Sequence, residues 1–182
     1  MTGDDGCRDA WKDACQNACR DAWQAAWQAE AVRVRALEAA DMQQVIALAD
    51  ALPAAPRWSV QAWQQMLAAG VRVMLVAEVG VEVVGFCVAS VVMDTAELET
   101  IAVKPATQRH GVGWRLLAAA MEACAAAGAR RMLLEVRASN VAAQRLYARA
   151  GFVESGRRRS YYRQPVEDAM GMERELEPTS AG

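Results

Sequence analysis

A chain of 182 residues with 20 Lys and Arg against 22 Asp and Glu carries a formal net charge of −2, and its 54% hydrophobic and 23% charged content is that of an ordinary globular protein. The length suits one domain with a substantial core, and the balanced charge gives no global attraction to nucleic acid or to an anionic membrane. The uncharged run 83–93 holds 11 residues, about half of what a bilayer-spanning helix requires, and so reads as a buried strand.

The N-terminus mixes Asp, Arg and Lys with Ala and has no apolar signal segment, so a cytoplasmic protein is expected. Residues 7–30 repeat with a period of four. Cys7, Trp11, Cys15, Cys19, Trp23 and Trp27 recur at one position and Ala10, Ala14, Ala18, Ala22 and Ala26 at another, a pattern that favours helix. Its apolar stripe would drift by about 40° per repeat around a 3.6-residue helix. We read residues 1–30 as a low-complexity helical extension, either docking on a partner or packing little, ahead of a domain spanning 31–176 and a disordered tail at 177–182. Five cysteines, an odd number, point to reduced thiols rather than a disulfide framework. Cys7, Cys15 and Cys19 lack both a nearby His and a C-x-x-C spacing, so no metal site is expected.

The domain opens with a strand over 32–37. Asp41 is expected to cap a helix whose apolar positions Val45, Ile46, Leu48, Ala49 and Leu52 recur at helical spacing, with Pro53 as its stop. Ser59 caps a second helix carrying Trp63, Met66 and Leu67 on one face, and Gly70 ends it. Residues 71–78, 82–93 and 97–103 read as an antiparallel meander turning at Gly80 and at Asp94-Thr95. A helix over 114–127 stops at Gly128. A strand over 132–136 follows, then a helix over 141–150 capped by Asn140 and stopped by Gly151, then strands over 152–162 and 166–175. This order predicts an α+β fold, a mixed and largely antiparallel central sheet flanked by helices.

The most informative stretch is Gln108-Arg109-His110-Gly111-Val112-Gly113, between a strand and a helix. Such a junction leaves backbone N–H groups unpartnered at the positive end of a helix dipole, where an anionic phosphate binds. Glycines let the backbone approach a diphosphate closely. Neither G-x-x-x-x-G-K-[ST] nor a G-x-G-x-x-G with its downstream acid is present. His110, the single histidine, reads as a solvent-side loop residue rather than a base. Glu135 shares a strand face with Leu133 and Arg137, and its spacing alone fits a solvated carboxylate paired with Arg137 or Arg131.

Together, Ile101-Ala102-Val103-Lys104-Pro105, Gln108-Arg109-His110-Gly111-Val112-Gly113, Leu134-Glu135-Val136-Arg137-Ala138-Ser139-Asn140, Ala143-Gln144-Arg145-Leu146-Tyr147, Gly151-Phe152 and Tyr161-Tyr162 resemble, in order, the elements of the RimI group of ribosomal-protein-alanine N-acetyltransferases within the GNAT (acyl-CoA N-acyltransferase) superfamily. The resemblance covers roughly residues 32–176. It implies the GNAT fold, acetyl-CoA as cosubstrate with no metal, and a protein N-terminus as acceptor, possibly that of a ribosomal protein. It implies no direct nucleic-acid or membrane partner, and a monomer by default. Residue by residue, it makes Glu135 the proton acceptor, with Glu97 and Glu99 in reserve, and Tyr147 the donor to the departing thiolate. The backbone of Ile101, Ala102 and Val103 would pair with the pantetheine arm. Gln108, Arg109, His110, Gly111, Val112, Gly113 and Trp114 would hold the diphosphate, and Asn140 would touch the cofactor. Trp114 stands where many relatives carry a basic residue. Trp58 and Tyr161 would border the acceptor. Two alternatives stay open: acetylation of a small amine such as a polyamine, antibiotic or amino acid, and a non-catalytic acetyl-CoA-binding module.

Overall fold

The computed structural model describes residues 32–52 and 55–177. The repeat at 7–30, the proposed stop at Pro53 and the tail beyond Glu177 lie outside them. The elements are β1 (Arg33–Ala36), α1 (Met42–Ala51), α2 (Val60–Ala69), β2 (Arg72–Val79), β3 (Glu82–Val92), β4 (Thr95–Val103), α3 (Val112–Ala126), β5 (Arg131–Arg137), α4 (Val141–Arg149), β6 (Val153–Arg163) and β7 (Val166–Glu175), with short 3-10 turns at Ala39–Asp41 and Pro105–Thr107. They build one seven-stranded sheet in the order β1-β2-β3-β4-β5-β7-β6. Every pairing is antiparallel except β4 with β5. The sequence places the last two strands at the end of the chain, and the sheet inserts β7 between β5 and β6.

Both faces of the middle of the sheet are covered, which is why β3 reads as an almost unbroken apolar run rather than an alternation. Val83, Phe86 and Val88 pack with Val45 and Trp63 of α1 and α2. Val84, Cys87 and Ala89 point the other way, into a core with Leu116, Leu117, Ala120 and Cys124 of α3. The spacing of those four α3 residues is that of a helix burying one face.

Helix ends follow the expected chemistry with one correction. The Ser59 hydroxyl accepts from the Ala62 N–H at 3.1 Å, and Gly70 ends α2 at φ +62°. Asp41 does not cap α1 through its side chain. Its backbone is already helical, at φ −80° and ψ −17°, so its carboxylate turns back to accept from the Glu38 N–H at 2.9 Å. The same carboxylate takes two bonds from the Arg35 guanidinium, at 2.6 and 2.8 Å.

The feature that shapes the rest is a parting of two strands. β4 and β5 pair only from Thr95 opposite Arg131 to Leu98 opposite Leu134. Beyond that point β4 stays with β3 as far as Val103 opposite Gly85, and β5 stays with β7 as far as Arg137 opposite Ala169. A β-bulge explains the divergence. On β3, Ala89 faces Leu98 and Val88 faces Thr100, which leaves Glu99 as the extra residue. A bulge bends its strand and raises local twist, so β4 swings away from its parallel neighbour.

A candidate active site at the strand opening

The opening between β4 and β5 leads into a cleft of about 510 Å³. Ile101, Ala102 and Val103 line it from β4, Glu135 and Arg137 from β5, and Asn140 and Tyr147 from the start and body of α4. Glu97, Glu99, Gln108, Tyr161 and Tyr162 also border it. Past Leu98, the β4 edge facing β5 has no strand partner.

The stretch read as a phosphate cradle continues from Gln108 to the start of α3. This helix begins at Val112, two residues earlier than the sequence pattern indicates, so Val112 and Gly113 belong to its first turn. The first main-chain bond of the helix runs from the Arg115 N–H to the Gly111 carbonyl, 3.0 Å. The N–H groups ahead of it precede any i→i−4 acceptor. Arg109 and Gly111 both adopt the left-handed region, at φ +67° and +81°. A Cβ on Gly111 would meet nothing within 4 Å, so the backbone conformation, not space, calls for glycine there. The loop is braced by the Gln108 side chain, which donates to the Val103 carbonyl at 3.1 Å. His110 Nδ1 sits 2.9 Å from the Gln108 carbonyl. The Trp114 ring, 37% exposed, lies beside the Arg149 guanidinium, 5.1 Å from its centroid, and lines a separate shallow hollow with Val32 and Val34.

Tyr147 and Asn140 stand two helical turns apart and both reach the cleft. Asn140 Oδ1 accepts from the Ala143 N–H at 3.1 Å and so caps α4. Tyr147 is only 6% exposed and packs against Phe152 with ring centroids 5.9 Å apart. Burial pushes its phenol well above the usual tyrosine range, so it is protonated at neutral pH. The junction that sets α4 in place is fastened by two side chains to which the sequence reading gave no role. Gln144 donates to the carbonyls of Arg137 and Ala138 at 3.0 and 2.9 Å. Glu167 accepts from the Ser139 N–H and from Arg137 at 3.2 Å, and bonds to Ser139 hold its carboxyl below the usual range.

Glu135 lies mid-strand opposite Gly171, on the face of β5 turned away from the buried Leu134 and Val136. Its partner is neither Arg137 nor Arg131. Arg158 Nη1 of β6 donates to Glu135 Oε1 at 2.7 Å. Arg137 instead pairs with Glu167 and stacks on Tyr162, 4.0 Å from the ring centroid. Arg131 donates to the Thr95 hydroxyl at 2.9 Å. A large bulge in β6 brings the new partner in. Arg158 pairs with Ala169 and Tyr162 with Glu167, so Arg159, Ser160 and Tyr161 stand opposite Asp168 alone. Ser160 takes φ +50°, and its N–H donates to Asp168 Oδ1 at 2.8 Å. Tyr161 is thereby turned into the cleft, where a hydrogen bond to Glu135 is the main cause of its raised phenol pKa. No local sequence pattern distinguishes Arg158 within the Arg157-Arg158-Arg159 run.

Trp58 is not among the residues bordering the cleft. It packs edge-on against Trp63 with centroids 4.9 Å apart, and Trp63 meets Phe86 in the same way at 5.5 Å. Its neighbours Ala55 and Pro56 form part of the cleft wall. Among the described residues no helix is long and apolar enough to cross a membrane, and no group of three or more His, Cys, Asp or Glu is disposed to hold a metal ion.

Comparison with known proteins agrees with this architecture. The crystal structure of the ribosomal-protein-S18-alanine N-acetyltransferase from Escherichia coli superposes with a TM-score of 0.70 at 30% identity, covering 83% of this chain and 97% of that one. The N-alpha-acetyltransferase RimI of Mycobacterium tuberculosis is 36% identical over 151 residues, 80% of this chain and 94% of the relative. The ribosomal protein bS18-alanine N-acetyltransferase of Escherichia coli is 46% identical over 77 residues, 42% of this chain and 52% of the relative. The chain spans about half to two thirds of the length of the Escherichia coli and Bacillus subtilis relatives. Residues 13–152 match the model of the acetyltransferase (GNAT) family, and since that match takes in well over half of the chain and the parted strands carry its fold, the chain belongs to the GNAT acetyltransferase family.

Proposed function

We propose that the protein transfers the acetyl group of acetyl-CoA to the N-terminal α-amine of a protein, with an N-terminal alanine of a small-subunit ribosomal protein as the first candidate acceptor. The observation that carries this reading is the placement of Glu135 and Tyr147 on the walls of one cleft, opened by the parting of β4 from β5. The similarity to ribosomal-protein alanine acetyltransferases supports the choice of acceptor.

The chain's own groups fit the cosubstrate. The free edge of Ile101 to Val103 offers main-chain donors and acceptors to the amides of an extended pantetheine arm, as an added strand would find them. The amides from Arg109 to Trp114, with Gly111 in its left-handed conformation, suit a diphosphate at the helix N-terminus. Asn140 is placed to meet the arm while it caps α4. Acetyl-CoA supplies the acetyl group as a thioester.

The acceptor attacks only as a neutral amine, so a carboxylate beside it must take up its proton, directly or through a water molecule. Glu135 is assigned that role, and Tyr161 closes the acceptor side. Tyr147, protonated at neutral pH, donates to the sulfur as the C–S bond breaks. Because a buried phenol is a weaker acid than a thiol, the transfer accompanies bond cleavage rather than preceding it. The proton lost by the amine and the one gained by the sulfur balance once Tyr147 is reprotonated.

The test is acetylation of a short peptide with a free N-terminal alanine by the wild type and by Glu135→Gln. The amide keeps the side chain's shape and removes its basicity, so turnover should fall by about 10²-fold or more while acetyl-CoA affinity stays near normal. Unchanged turnover at neutral pH would move the base to Glu97 or Glu99.

A further inference from the structure

Three carboxylates border the cleft, and they are held differently. Glu99 accepts from Arg72 Nε at 2.8 Å, with both side chains largely covered, at 31% and 18% exposure. Glu97 is exposed on β4. Glu135, 27% exposed, carries one counter-ion, Arg158, whose side chain is 64% exposed. That guanidinium is bonded to a single carboxylate oxygen and rests 4.4 Å from the centroid of the Tyr161 ring. An ion pair this exposed is weak and screened by salt. On the reading of Glu135 as the base, it engages the same carboxylate that an incoming ammonium group has to reach.

We propose that Arg158 is a stand-in for the acceptor's ammonium group: it occupies the Glu135 carboxylate in the empty enzyme and gives way when the acceptor arrives. The inference rests on the reading of Glu135 as the acceptor-side base. The backbone around Arg158 suits the task. Arg158 is the last residue of β6 in register before the bulge at Arg159 to Tyr161, and another irregularity at Glu154 and Gly156 precedes it. Its main chain is therefore pinned to Ala169 while its side chain is free to swing, and the Tyr161 face gives the released guanidinium a place to rest. A tethered cation at high local concentration keeps Glu135 oriented toward the cleft. It also makes every acceptor compete for the site, so a weakly bound stray cation is excluded while an amine held by further contacts along the cleft displaces it.

Arg158 is thus a positioning residue, and its signature lies in the split between peptide KM and kcat. In Arg158→Met the acceptor meets Glu135 without first displacing a cation, so the peptide KM falls. In the complex Arg158 has already left, so kcat changes little.

The experiment compares wild type, Arg158→Met and Arg158→Lys as full chains with acetyl-CoA and an N-terminal alanine peptide. The expected result is a two- to fivefold lower peptide KM in Arg158→Met, kcat within about twofold, and a return toward wild type in Arg158→Lys. A raised or unchanged KM, or a collapsed kcat, would make Arg158 an acceptor-binding group or a plain support and overturn the proposal. Failure of the wild type to acetylate any peptide α-amine would instead overturn the acceptor reading, and the stand-in role with it.

Discussion

The proposed function gives Tyr147 a role beyond packing, and a substitution separates the two. Its ring belongs to the buried core with Phe152, while its residue borders the cleft. Tyr147→Phe keeps the packing and removes the proton, so turnover should drop by about 10²-fold with a melting temperature within about 2 °C of wild type. Normal turnover in that variant would mean that water protonates the sulfur. Asp41, which does not line the cleft, tests the electrostatics of the scaffold. It is 5% exposed, and hydrogen bonds from Arg35 hold its carboxyl below the usual carboxylate range. A depressed folded pKa stabilises the protein at pH values above the unfolded value of about 3.9, and the gain is lost as pH falls through the folded value. Asp41→Asn should therefore cost roughly 1–3 kcal/mol at pH 7, with the gap to wild type narrowing below about pH 4 in thermal melts. A gap independent of pH would show that the lost acceptor oxygen, not the charge, is what Asp41 contributes.

At the scale of elements, two glycines near the start of α3 make opposite demands. A Cβ on Gly85 of β3 would lie 2.9 Å from the Ala102 carbonyl oxygen and 3.0 Å from Leu116 Cδ1. Backbone and core would both have to move, so Gly85→Ala should destabilise by about 1–3 kcal/mol. Gly111 has open space but a φ of +81°, so Gly111→Val should cost roughly 1–2 kcal/mol in backbone strain and abolish the thermal shift given by acetyl-CoA. A full shift in Gly111→Val would remove the loop from the diphosphate site. The two cases also show what a sequence discloses. Periodicity located the helices and the meander because burial on one face or both leaves a residue-by-residue trace, and Ser59, Asn140 and Gly70 announce helix ends through local chemistry. The bulges at Glu99 and at Arg159 to Tyr161 leave no such trace, since an extra residue in a strand looks like any other until its partner strand is known. For the same reason Arg158 was invisible as the partner of Glu135: the pair is 23 residues apart and meets only because β7 brings β6 beside β5. Asp41 misled in the opposite direction, because Asp ahead of an apolar helix is a normal cap signal, and Arg35, six residues earlier, took its carboxylate instead.

For the molecule as a whole, the choice of acceptor follows from how much basicity the cleft has to supply. An α-amine has a pKa of about 7.7–8.0 and a lysine side chain about 10.4, so at pH 7 roughly a tenth of the first is neutral and only about one part in 2,500 of the second. The α-amine thus begins about 250-fold closer to its reactive form, equivalent to roughly 3 kcal/mol. Of the carboxylates bordering the cleft, Glu99 is tied to Arg72 and Glu97 is exposed on β4, so the proposed function assigns the amine to Glu135 with its loosely held counter-ion. One carboxylate acting directly or through water is adequate for an α-amine, whereas lysine would call for a stronger base or deep desolvation of the ammonium group. A short peptide with a free N-terminal alanine and an internal lysine should therefore be acetylated at the α-amine alone, and formylating that amine should abolish the reaction, as mass spectrometry of the two products would show. Efficient acetylation of the lysine in the blocked peptide, or a preference for a free polyamine, would replace the proposed acceptor while leaving the parted strands and the coenzyme site as they are.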